Sequence, residues 1–432
     1  MSTHLAIHQS DDEYARTVVV AARTSVGMRR RTNQDSFIVV MSDGLAGWRR
    51  NGHLFVVADG MGAHAAGEKA SKMATEGIPH YYAKYPEGLA VERLHRSMND
   101  ANADIFRRGQ ANPEFRSMGT TASSLLLLPE GAVCAHVGDS RVYRLRGNSI
   151  EQLTFDHSLV WEMQEAGQYN DETINASGIP KNVITRSLGP NQSVLVDLEG
   201  PFPLRRGDKF LLCSDGLTGQ LSNVELATFM ALLTPQEAVD VMIDLANLRG
   251  GPDNITAVIA EVVSDLITAG TASLASEERK KDGPIFSASL AATCVVCSVA
   301  TAALLYSGQL ALALVTTALA AVALAAGLVQ LAGGPRATRG RTERYGKGPY
   351  RQAPVHPDQA MVEELMRTLE ELREASVENH WSLDWSALEQ PDSPLNTSLR
   401  KQDHRRAVRE IVLQITAAVR QIPRGGPEPD SD

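Results

Sequence analysis

Short apolar runs alternate with Gly, Asp and Asn residues from residue 17 to residue 263. This pattern is typical of many short strands joined by tight turns, with a few helices among them. About 250 residues is near the upper size of a single hydrophobic core. The pattern therefore predicts one domain of mixed α and β structure over residues 17–265, between an N-terminal extension (1–16) and a small, polar linker (266–284).

A second hydrophobic pattern follows the linker. Residues 285–334 contain no Asp, Glu, Lys or Arg. Two segments of them, 285–306 and 310–332, are each long enough to cross about 30 Å of hydrocarbon as a helix. A Ser-Gly-Gln turn separates the two segments. We expect a two-pass transmembrane hairpin, because the buried helices of a soluble bundle, the alternative, would normally carry a polar stripe.

Both flanks of this hairpin are basic. A run of three basic residues, 279–281, precedes it, and the following segment, 335–356, is rich in Arg and Lys with a single acidic residue. Basic flanks of membrane spans tend to stay in the cytoplasm. We therefore expect a cell-membrane protein whose large domain and C-terminal region are both cytoplasmic and lie near membrane lipid.

The C-terminal region has a helical pattern. Apolar residues recur at helical spacing within residues 357–423, in one stretch that starts at Met361 and another that starts at Val408. This spacing predicts two amphipathic helices packed on each other, to which no activity is assigned. The tail, residues 424–432, has the polar, Gly- and Pro-rich composition of a disordered segment.

Composition and charge exclude several classes of protein. The 432 residues carry a formal net charge of −9, which argues against nucleic acid as a partner, because phosphate backbones are held by clustered Lys and Arg. The four cysteines do not suggest a disulfide framework. The N-terminus lacks the basic start and apolar core of a secretory signal, so the large domain is expected in the cytosol.

Four apolar, strand-like runs adjoin an aspartate. The four sites are Asp59-Gly60, Gly138-Asp139, Asp215-Gly216 and Asp253-Asn254. Each one alone is usually a turn, but converging carboxylates repel one another unless a cation neutralises them. Ligands made of Asp oxygen, backbone carbonyl and water favour Mg²⁺ or Mn²⁺ over zinc. The recurrence therefore predicts a pair of hydrated hard cations, which would activate water for attack on phosphorus or carbon.

A basic run before these sites provides a grip for phosphate. Residues 28–35 include three consecutive arginines, and an arginine fork can bind two phosphate oxygens at once. An exposed basic loop is the alternative interpretation when this run is considered by itself.

Eight short motifs follow one another within residues 20–263. They are Arg30-x-x-Asn33-Gln34-Asp35, Asp59-Gly60-Met61-Gly62 with Gly67-Glu68, Gly119-Thr120-Thr121-Ala122, Gly138-Asp139-Ser140-Arg141, Leu153-Thr154 with Asp156-His157-Ser158, Ile184-Thr185-Arg186-Ser187-Leu188-Gly189, Ser214-Asp215-Gly216-Leu217 and Asp253-Asn254-Ile255-Thr256. In residues and in order they resemble the metal-dependent protein phosphatase (PPM, type 2C) family. Eight ordered motifs are a very specific signal, and the resemblance stops at residue 263.

The resemblance implies an α+β fold, a four-layer α-β-β-α sandwich with a metal cleft at one end of its two sheets. It also implies hydrolysis of phosphoserine and phosphothreonine in phosphoprotein substrates. Membrane receptor kinases are a substrate class that the hairpin would bring close. Arg30 would hold the substrate phosphate, and Asp35 would orient the attacking water. Residues 156–189 correspond to the family's flap beside the cleft, which would screen substrates.

The resemblance also implies the metal ligands. Asp59 would bridge two Mn²⁺ or Mg²⁺ ions, and the Gly60 carbonyl would join one of them. Asp215 and Asp253 would complete the coordination of the other ion. Asp139 would belong to a third, weaker metal position that is described in bacterial members.

Three positions depart from the family's pattern. Gln34 stands where many members have Glu, and Ala63 stands where Gly is usual. Gly219 stands where members often have a further Asp, which weakens the expectation of a third metal ion. His64 follows the metal aspartate but does not align with the family's proposed acid histidine, so no general acid is assigned.

Three other functions match parts of the sequence less well. The spacing of Gly62 and Gly67 is close to that of a nucleotide-binding loop, but Glu68 precedes Lys69 and would place a negative charge where phosphate binds. A catalytically inactive scaffold that binds phosphoproteins would be expected to lose metal aspartates, and this chain keeps them. A two-metal nuclease would need basic grooves, which this acidic chain does not obviously have.

Overall fold

The computed structural model describes residues 17–62, 65–165, 167, 183–268, 299–304, 306–310, 312, 314–318, 344–385 and 390–422. The chain divides into one compact unit of residues 1–269 together with 345–432, and another of residues 270–344. All the strands and helices named below belong to the first unit.

Two antiparallel sheets form the centre of this unit. Their strands are β1 (Val18–Ser25), β2 (Asp35–Val40), β3 (His53–Met61), β4 (Gly119–Thr120), β5 (Ala122–Leu128), β6 (Gly131–Val137), β7 (Arg141–Arg146), β8 (Ser149–Gln152), β9 (Asp197–Phe202), β10 (Lys209–Cys213), β11 (Ile255–Val262) and β12 (Arg351–Pro354). The first sheet has the order β1-β11-β10-β7-β8-β12. The second has the order β2-β3-β5-β6-β9, with β4 paired to β3.

Helices pack on the outer faces of the sheets and on one another. They are α1 (Gly44–Asn51), α2 (Ala66–Lys84), α3 (Ala90–Ala111), α4 (Leu159–Glu165), α5 (Asp215–Thr218), α6 (Asn223–Leu232), α7 (Pro235–Leu248), α8 (Gln359–Glu378), α9 (Pro394–Arg400) and α10 (His404–Gln421). Helix α2 packs on β2 and β3 of the second sheet, and α7 packs on β1 and β11 of the first sheet.

The central strands are buried on both faces. In β3, Phe55 and Val57 belong to the core between the two sheets. Leu54, Val56 and Ala58 belong to a second core under α2 and α3. Because side chains alternate between the two faces of a strand, burial of both faces gives a continuous apolar run. This layered arrangement confirms the predicted mixed α+β sandwich and explains the uninterrupted apolar runs before the aspartates.

The C-terminal region belongs to the same unit as the sheets. This differs from the predicted division into a basic juxtamembrane segment (335–356) and a separate helical region (357–423). Strand β12 pairs with β8 and adds a strand to the first sheet. Helix α10 packs against both α7 and α8, so the two predicted amphipathic helices do contact each other. An open sheet edge can pair with a further strand, and an exposed apolar helix face is unfavourable in water, so both features favour docking of this region on the sandwich.

Ion pairs connect the C-terminal helices to the sandwich. Arg420 Nη2 lies 2.6 Å from Asp240 Oδ2, and Arg249 Nη2 lies 2.8 Å from Glu364 Oε1. Asp240 is only 2% exposed, and its other carboxylate oxygen, Oδ1, lies 3.4 Å from Nη1 of Arg23 in β1. A buried carboxylate is retained when it is paired in this way. The charges therefore support the packing of α10 and α8 on this face.

Most of the predicted membrane hairpin lies outside the described residues. The same is true of the extension 1–16, the linker from residue 269 onward, the tail 424–432, and residues Ala63 and His64. Within the described ranges, no helix is both long enough and apolar enough to cross a membrane. The hairpin therefore stays a prediction.

Candidate active site

The strands bring the predicted site residues to one end of the sandwich. Strand β2 begins at Asp35, and the antiparallel register of β2 and β3 places Asp35 directly opposite Asp59. Side chains opposite each other on neighbouring strands have Cβ atoms about 5 Å apart. Asp215 follows β10 after one residue, and Asp253 stands two residues before β11. Four carboxylates therefore approach one another where the strands end.

Asp35 links the two sheets at this end. Its Oδ2 atom accepts hydrogen bonds from the Oγ of Ser214 and the Oγ1 of Thr256, both at 2.7 Å. Ser214 follows β10 and Thr256 lies in β11, so both donors belong to the first sheet, whereas Asp35 belongs to the second. These two bonds hold Oδ2 in place, whereas Oδ1 has no hydrogen-bond partner and is available to bind a ligand.

The carboxyl groups of the cluster interact directly. Asp59 and Asp215 lie close enough for each carboxyl group to shift the pKa of the other. Burial, followed by repulsion from Asp35 and Asp215, raises the pKa of Asp59 well above its usual value. Burial also raises the pKa of Asp35 to about 7 and the pKa of Asp139 to about 8, with repulsion from Asp215 adding to both. Such a cluster needs protons or cations between its members.

Three buried oxygens in the cluster point to a cation. Asp35 Oδ1, Asp139 Oδ1 and Asp215 Oδ1 have no hydrogen-bond partner. A buried oxygen of this kind costs free energy, and a cation would satisfy it. Across the described ranges, no group of three or more His, Cys, Asp or Glu side chains is arranged to hold a metal ion. The unpartnered carboxylate oxygens nevertheless fit a hydrated hard cation, which takes its other ligands from backbone carbonyls and water.

Gly60 lies where two chain segments come very close. A Cβ atom at this position would overlap the carbonyl oxygen of Gly67 and approach the Gln34 carbonyl oxygen at 2.7 Å. The Gly60 nitrogen donates a hydrogen bond of 3.0 Å to that same Gln34 oxygen. Only glycine fits this approach, and it places the start of α2 beside the end of β3.

Arg30 stands at the rim of the cluster. Its Nη2 atom lies 2.7 Å from Asp253 Oδ2, and both side chains are partly open to solvent. The structure therefore brings the predicted phosphate-binding arginine next to a predicted metal ligand. A phosphate held at the metals would be within reach of this guanidinium group.

Asp139 is placed by contacts with the predicted flap. It follows Gly138, whose nitrogen donates to His157 Nδ1 at 3.0 Å and whose carbonyl accepts from the His157 nitrogen at 2.8 Å. Arg141 Nη2 lies 2.6 Å from Asp156 Oδ2. The start of the flap is therefore bonded to the loop after β6 that carries Asp139, and His157 makes two of these hydrogen bonds.

Sequence reasoning assigned no role to several residues that position the site. Asn254 Nδ2 donates to the carbonyls of Val26 and Thr32, at 2.8 and 3.0 Å, and its Oδ1 accepts from the Gln34 nitrogen at 2.8 Å. These bonds hold the loop that carries Arg30. The signal available in the sequence was the Asp253-Asn254 motif itself, which does not reveal which atoms Asn254 contacts.

The chain is similar to known serine/threonine phosphatases. The profile of the family described as Protein phosphatase 2C matches residues 46–247. The serine/threonine phosphatase stp of Listeria monocytogenes is 35% identical over 245 residues, which are 55% of this chain and 94% of that protein. The protein phosphatase PhpP of Streptococcus pneumoniae is 34% identical over 247 residues, which are 56% of this chain and 97% of that protein. The solved structure of the S. agalactiae serine/threonine phosphatase aligns with a TM-score of 0.52 at 35% identity, covering 57% of this chain and 99% of that chain.

A two-sheet sandwich with buried carboxylates gathered where the sheets end defines the class of metal-dependent phosphatases. The chain belongs to the protein phosphatase 2C family, and it is a protein-serine/threonine phosphatase. Phosphatases of this type use Mn²⁺ or Mg²⁺, which confirms the predicted cofactor. The roles of individual residues stay predictions.

Proposed function

We propose that this chain hydrolyses phosphoserine and phosphothreonine in proteins with water activated at a centre of two Mn²⁺ or Mg²⁺ ions. The observation that carries the proposal is the cluster of Asp35, Asp59, Asp139 and Asp215. All four have raised pKa values, and all but Asp59 have a buried oxygen without a hydrogen-bond partner, which calls for cations. Signalling is the process that such an enzyme would serve.

The residues of the cluster would have different roles in binding the ions and the attacking water. Asp59 would contact both ions, the Gly60 carbonyl would join one, and Asp215 and Asp253 would hold the other. The bound ions supply the acidity that turns water into a nucleophile near neutral pH. The Oδ2 of Asp35 is fixed by Ser214 and Thr256, so its unpartnered Oδ1 would be the atom that orients that water.

Asp139 is proposed to serve a third, weaker cation. This residue is 7% exposed, and its Oδ1 lacks a hydrogen-bond partner. Gly219, at the end of α5, contributes no side chain there. A site with fewer protein ligands binds its cation more weakly, because fewer charges oppose the loss of hydration.

The function is tested by assaying the full chain on phosphothreonine and phosphoserine peptides with Mn²⁺ or Mg²⁺ supplied. The full chain is used because α8 and α10 pack into the same unit as the sheets. We expect phosphate release that stops on chelation and returns when Mn²⁺ is added back. Activity that survives thorough chelation, or that requires zinc, contradicts the metal assignment. Binding of phosphopeptides without turnover would favour the inactive scaffold.

Replacing Arg30 with Ala is expected to raise KM for a phosphopeptide by roughly 10- to 100-fold, since hydrogen bonds to charged groups contribute about 1.5–3 kcal/mol each. The metal ligands stay in place, so kcat should change much less. Steady-state kinetics at saturating Mn²⁺ measure both constants. Arg31→Ala, a change at the neighbouring exposed arginine, is the matched control. A fall in kcat with unchanged KM would show that Arg30 does not bind the phosphate.

We infer that the uncharged residues 285–334 tether the enzyme to the cell membrane, with both flanking regions in the cytoplasm. Support comes from the length of the two apolar segments and from the basic residues on both sides. Tethering would raise the local concentration of the enzyme near membrane-bound phosphoproteins, of which receptor kinases are one class, and near anionic lipid.

The tether is tested with a reporter fused after Asp432 and protease added to spheroplasts. We expect the reporter to be protected until the membrane is opened with detergent. Cleavage from outside would place the tail on the wrong side. Full recovery of the chain in the soluble fraction without detergent would likewise rule out the hairpin.

A further inference from the structure

Residues 345–354, which we call the C-terminal strap, run from β9 of the second sheet to the edge of the first sheet. Within the strap, β12 pairs with β8 so that Arg351 lies opposite Gln152. The Gly348 nitrogen donates to Glu199 Oε2 at 2.9 Å, and the Tyr350 hydroxyl donates to Glu199 Oε1. Glu199 is 2% exposed, so these bonds form an internal anchor. The strap is therefore held in a defined position on the sandwich.

The anchor depends on a glycine. Gly346 has a φ of +68°, and a Cβ atom there would overlap the Glu199 carboxyl group. A side chain at this position would both strain the backbone and displace the anchor. Tyr350 adds an edge-to-face contact with Phe155, with ring centroids 5.4 Å apart. The strap thus reaches the segment that begins the flap.

Arg351 contacts the first helix of the flap. Its guanidinium carbon lies 3.8 Å from the centroid of the Trp161 ring, within the range of a cation–π contact. Its Nη2 atom donates a hydrogen bond of 2.7 Å to Gln164 Oε1. Trp161 and Gln164 both belong to α4, and Trp161 is 3% exposed. One side chain of the strap therefore fixes both a buried ring and a polar group of α4.

Helix α4 starts at the candidate active site. It directly follows His157 and Ser158, and His157 is bonded to Gly138 next to Asp139. The Leu159 nitrogen donates to the Val183 carbonyl at 2.9 Å, which ties the start of α4 to the segment that returns from the flap. The guanidinium group of Arg141, which is paired with Asp156, also approaches Trp161, at 5.9 Å. Any shift of α4 would therefore move the wall of the site beside Asp139.

We propose that Arg351 is a positioning residue of this phosphatase: by stacking on Trp161 and bonding Gln164, it fixes α4 beside the cleft and thereby sets how well phosphopeptide chains are recognised. The inference rests on the proposed function, because it concerns the substrate of the same site. Arg351 reaches α4 but none of the clustered carboxylates through the contacts described. Through α4, Arg351 would affect binding of the peptide chain on either side of the phosphorylated residue, and it would not contact the reacting atoms.

The test compares two substrates of the full chain with Mn²⁺ present, a phosphothreonine peptide and p-nitrophenyl phosphate. The small ester fills the phosphate position only, whereas the peptide must also lie along the wall formed by α4. Arg351→Ala should raise KM for the peptide by about five-fold, the change expected from losing one cation–π contact and one hydrogen bond. Kinetics on p-nitrophenyl phosphate should stay within about two-fold of the parent.

Gln352→Ala is the matched control on the same strand. Gln352 is exposed, and its amide donates to Glu151 rather than to α4. We expect parent kinetics on both substrates. Arg351→Lys keeps the charge but not the planar fork, so its KM for the peptide should lie between those of the parent and Arg351→Ala. Gln164→Ala removes the hydrogen bond to Arg351 from the α4 side and leaves the cation–π contact in place, so it should raise the peptide KM by a smaller factor.

The outcomes separate this inference from the proposed function. If the parent chain hydrolyses neither substrate, the proposed function fails and the inference fails with it. If the parent hydrolyses both and Arg351→Ala keeps the parent KM for the peptide, the inference alone is overturned. It is also overturned if Arg351→Ala and Gln164→Ala lose activity on both substrates in parallel with a lower Tm, because that is the signature of general destabilisation.

Discussion

Replacing Asp59 with Asn should lower kcat by about a thousand-fold, since a metal ion contributes several kcal/mol of charge stabilisation in the transition state. Asp59 faces Asp35 across the strand pair, and the carboxyl groups of Asp35, Asp215 and Asp139 all raise its pKa, so it lies at the centre of the cluster. Asn has nearly the same shape but carries no charge, and the fold should survive. Single-turnover and steady-state assays on a phosphopeptide measure the loss.

The same variant should bind Mn²⁺ more weakly, which isothermal titration measures directly. Asp265→Asn is the matched control, because Asp265 is exposed and lies beyond the end of β11, away from the cluster. It should keep the parent activity and the parent affinity for Mn²⁺. Equal affinity for Mn²⁺ in Asp59→Asn and the parent would contradict the bridging role of Asp59.

Without metal, the folded protein should lose stability as the pH rises from about 6.5 to about 8, by on the order of a few kcal/mol. Burial raises the pKa of Asp35 from 3.8 to about 7 and that of Asp139 to about 8 in the folded state. The folded protein therefore binds protons that the unfolded chain has already released. Stability from these groups is fully present below the unfolded pKa and disappears as the pH passes the folded values.

Buried histidines act in the opposite direction, but at lower pH. Burial lowers the pKa of His53 from 6.5 to about 4, so its contribution is lost as the pH falls from 6.5 towards 4. Burial likewise lowers the pKa of His136 to about 3. In the unfolded chain these histidines are about half protonated at pH 6.5 and almost fully neutral by pH 8. Over the interval from 6.5 to 8 their opposing contribution is therefore smaller than that of the carboxylates.

Bound Mn²⁺ should remove this pH dependence, because the cation replaces the protons between the carboxylates. At 100 times its dissociation constant, a ligand of the folded state stabilises it by about 2.7 kcal/mol. Thermal melts between pH 6.5 and 8.5, with chelator or with Mn²⁺, measure both effects. Asp139→Asn should show a smaller fall in Tm than the parent in chelator. A flat Tm in chelator, or no rise with Mn²⁺ at pH 8, would contradict the carboxylate cluster as the cation site.

Local patterns were enough to predict which carboxylates lie at the ends of strands. Each of Asp59, Asp215 and Asp253 adjoins an apolar run, and such a run reveals a buried strand because its side chains are apolar on both faces. Eight ordered motifs then indicated the family, which the similarity to known phosphatases confirms. These features are contained within a few neighbouring residues, so the sequence displays them without a fold.

Contacts between distant residues could not be predicted in this way. Asp35 bonds Ser214 and Thr256, which lie 179 and 221 positions away, and Arg30 pairs with Asp253 across 223 positions. Each pairing depends on which strands are neighbours in the two sheets and on their register. Antiparallel register is set by the whole hydrophobic pattern and by the turns, not by the residues that finally meet.

The C-terminal region shows the same division between sequence and structure. Helical spacing of apolar residues was sufficient by itself to predict the amphipathic helices α8 and α10, because a period of 3.6 residues places those residues on one face. The period indicates that the apolar face of each helix will be buried, but it does not indicate which element will pack against it. Only the tertiary structure decided that α10 covers α7, and that Arg351 reaches Trp161 through a strand added at the edge of β8. Backbone hydrogen bonds at a sheet edge are available to almost any residue type, so the sequence carries little record of which segment will form them.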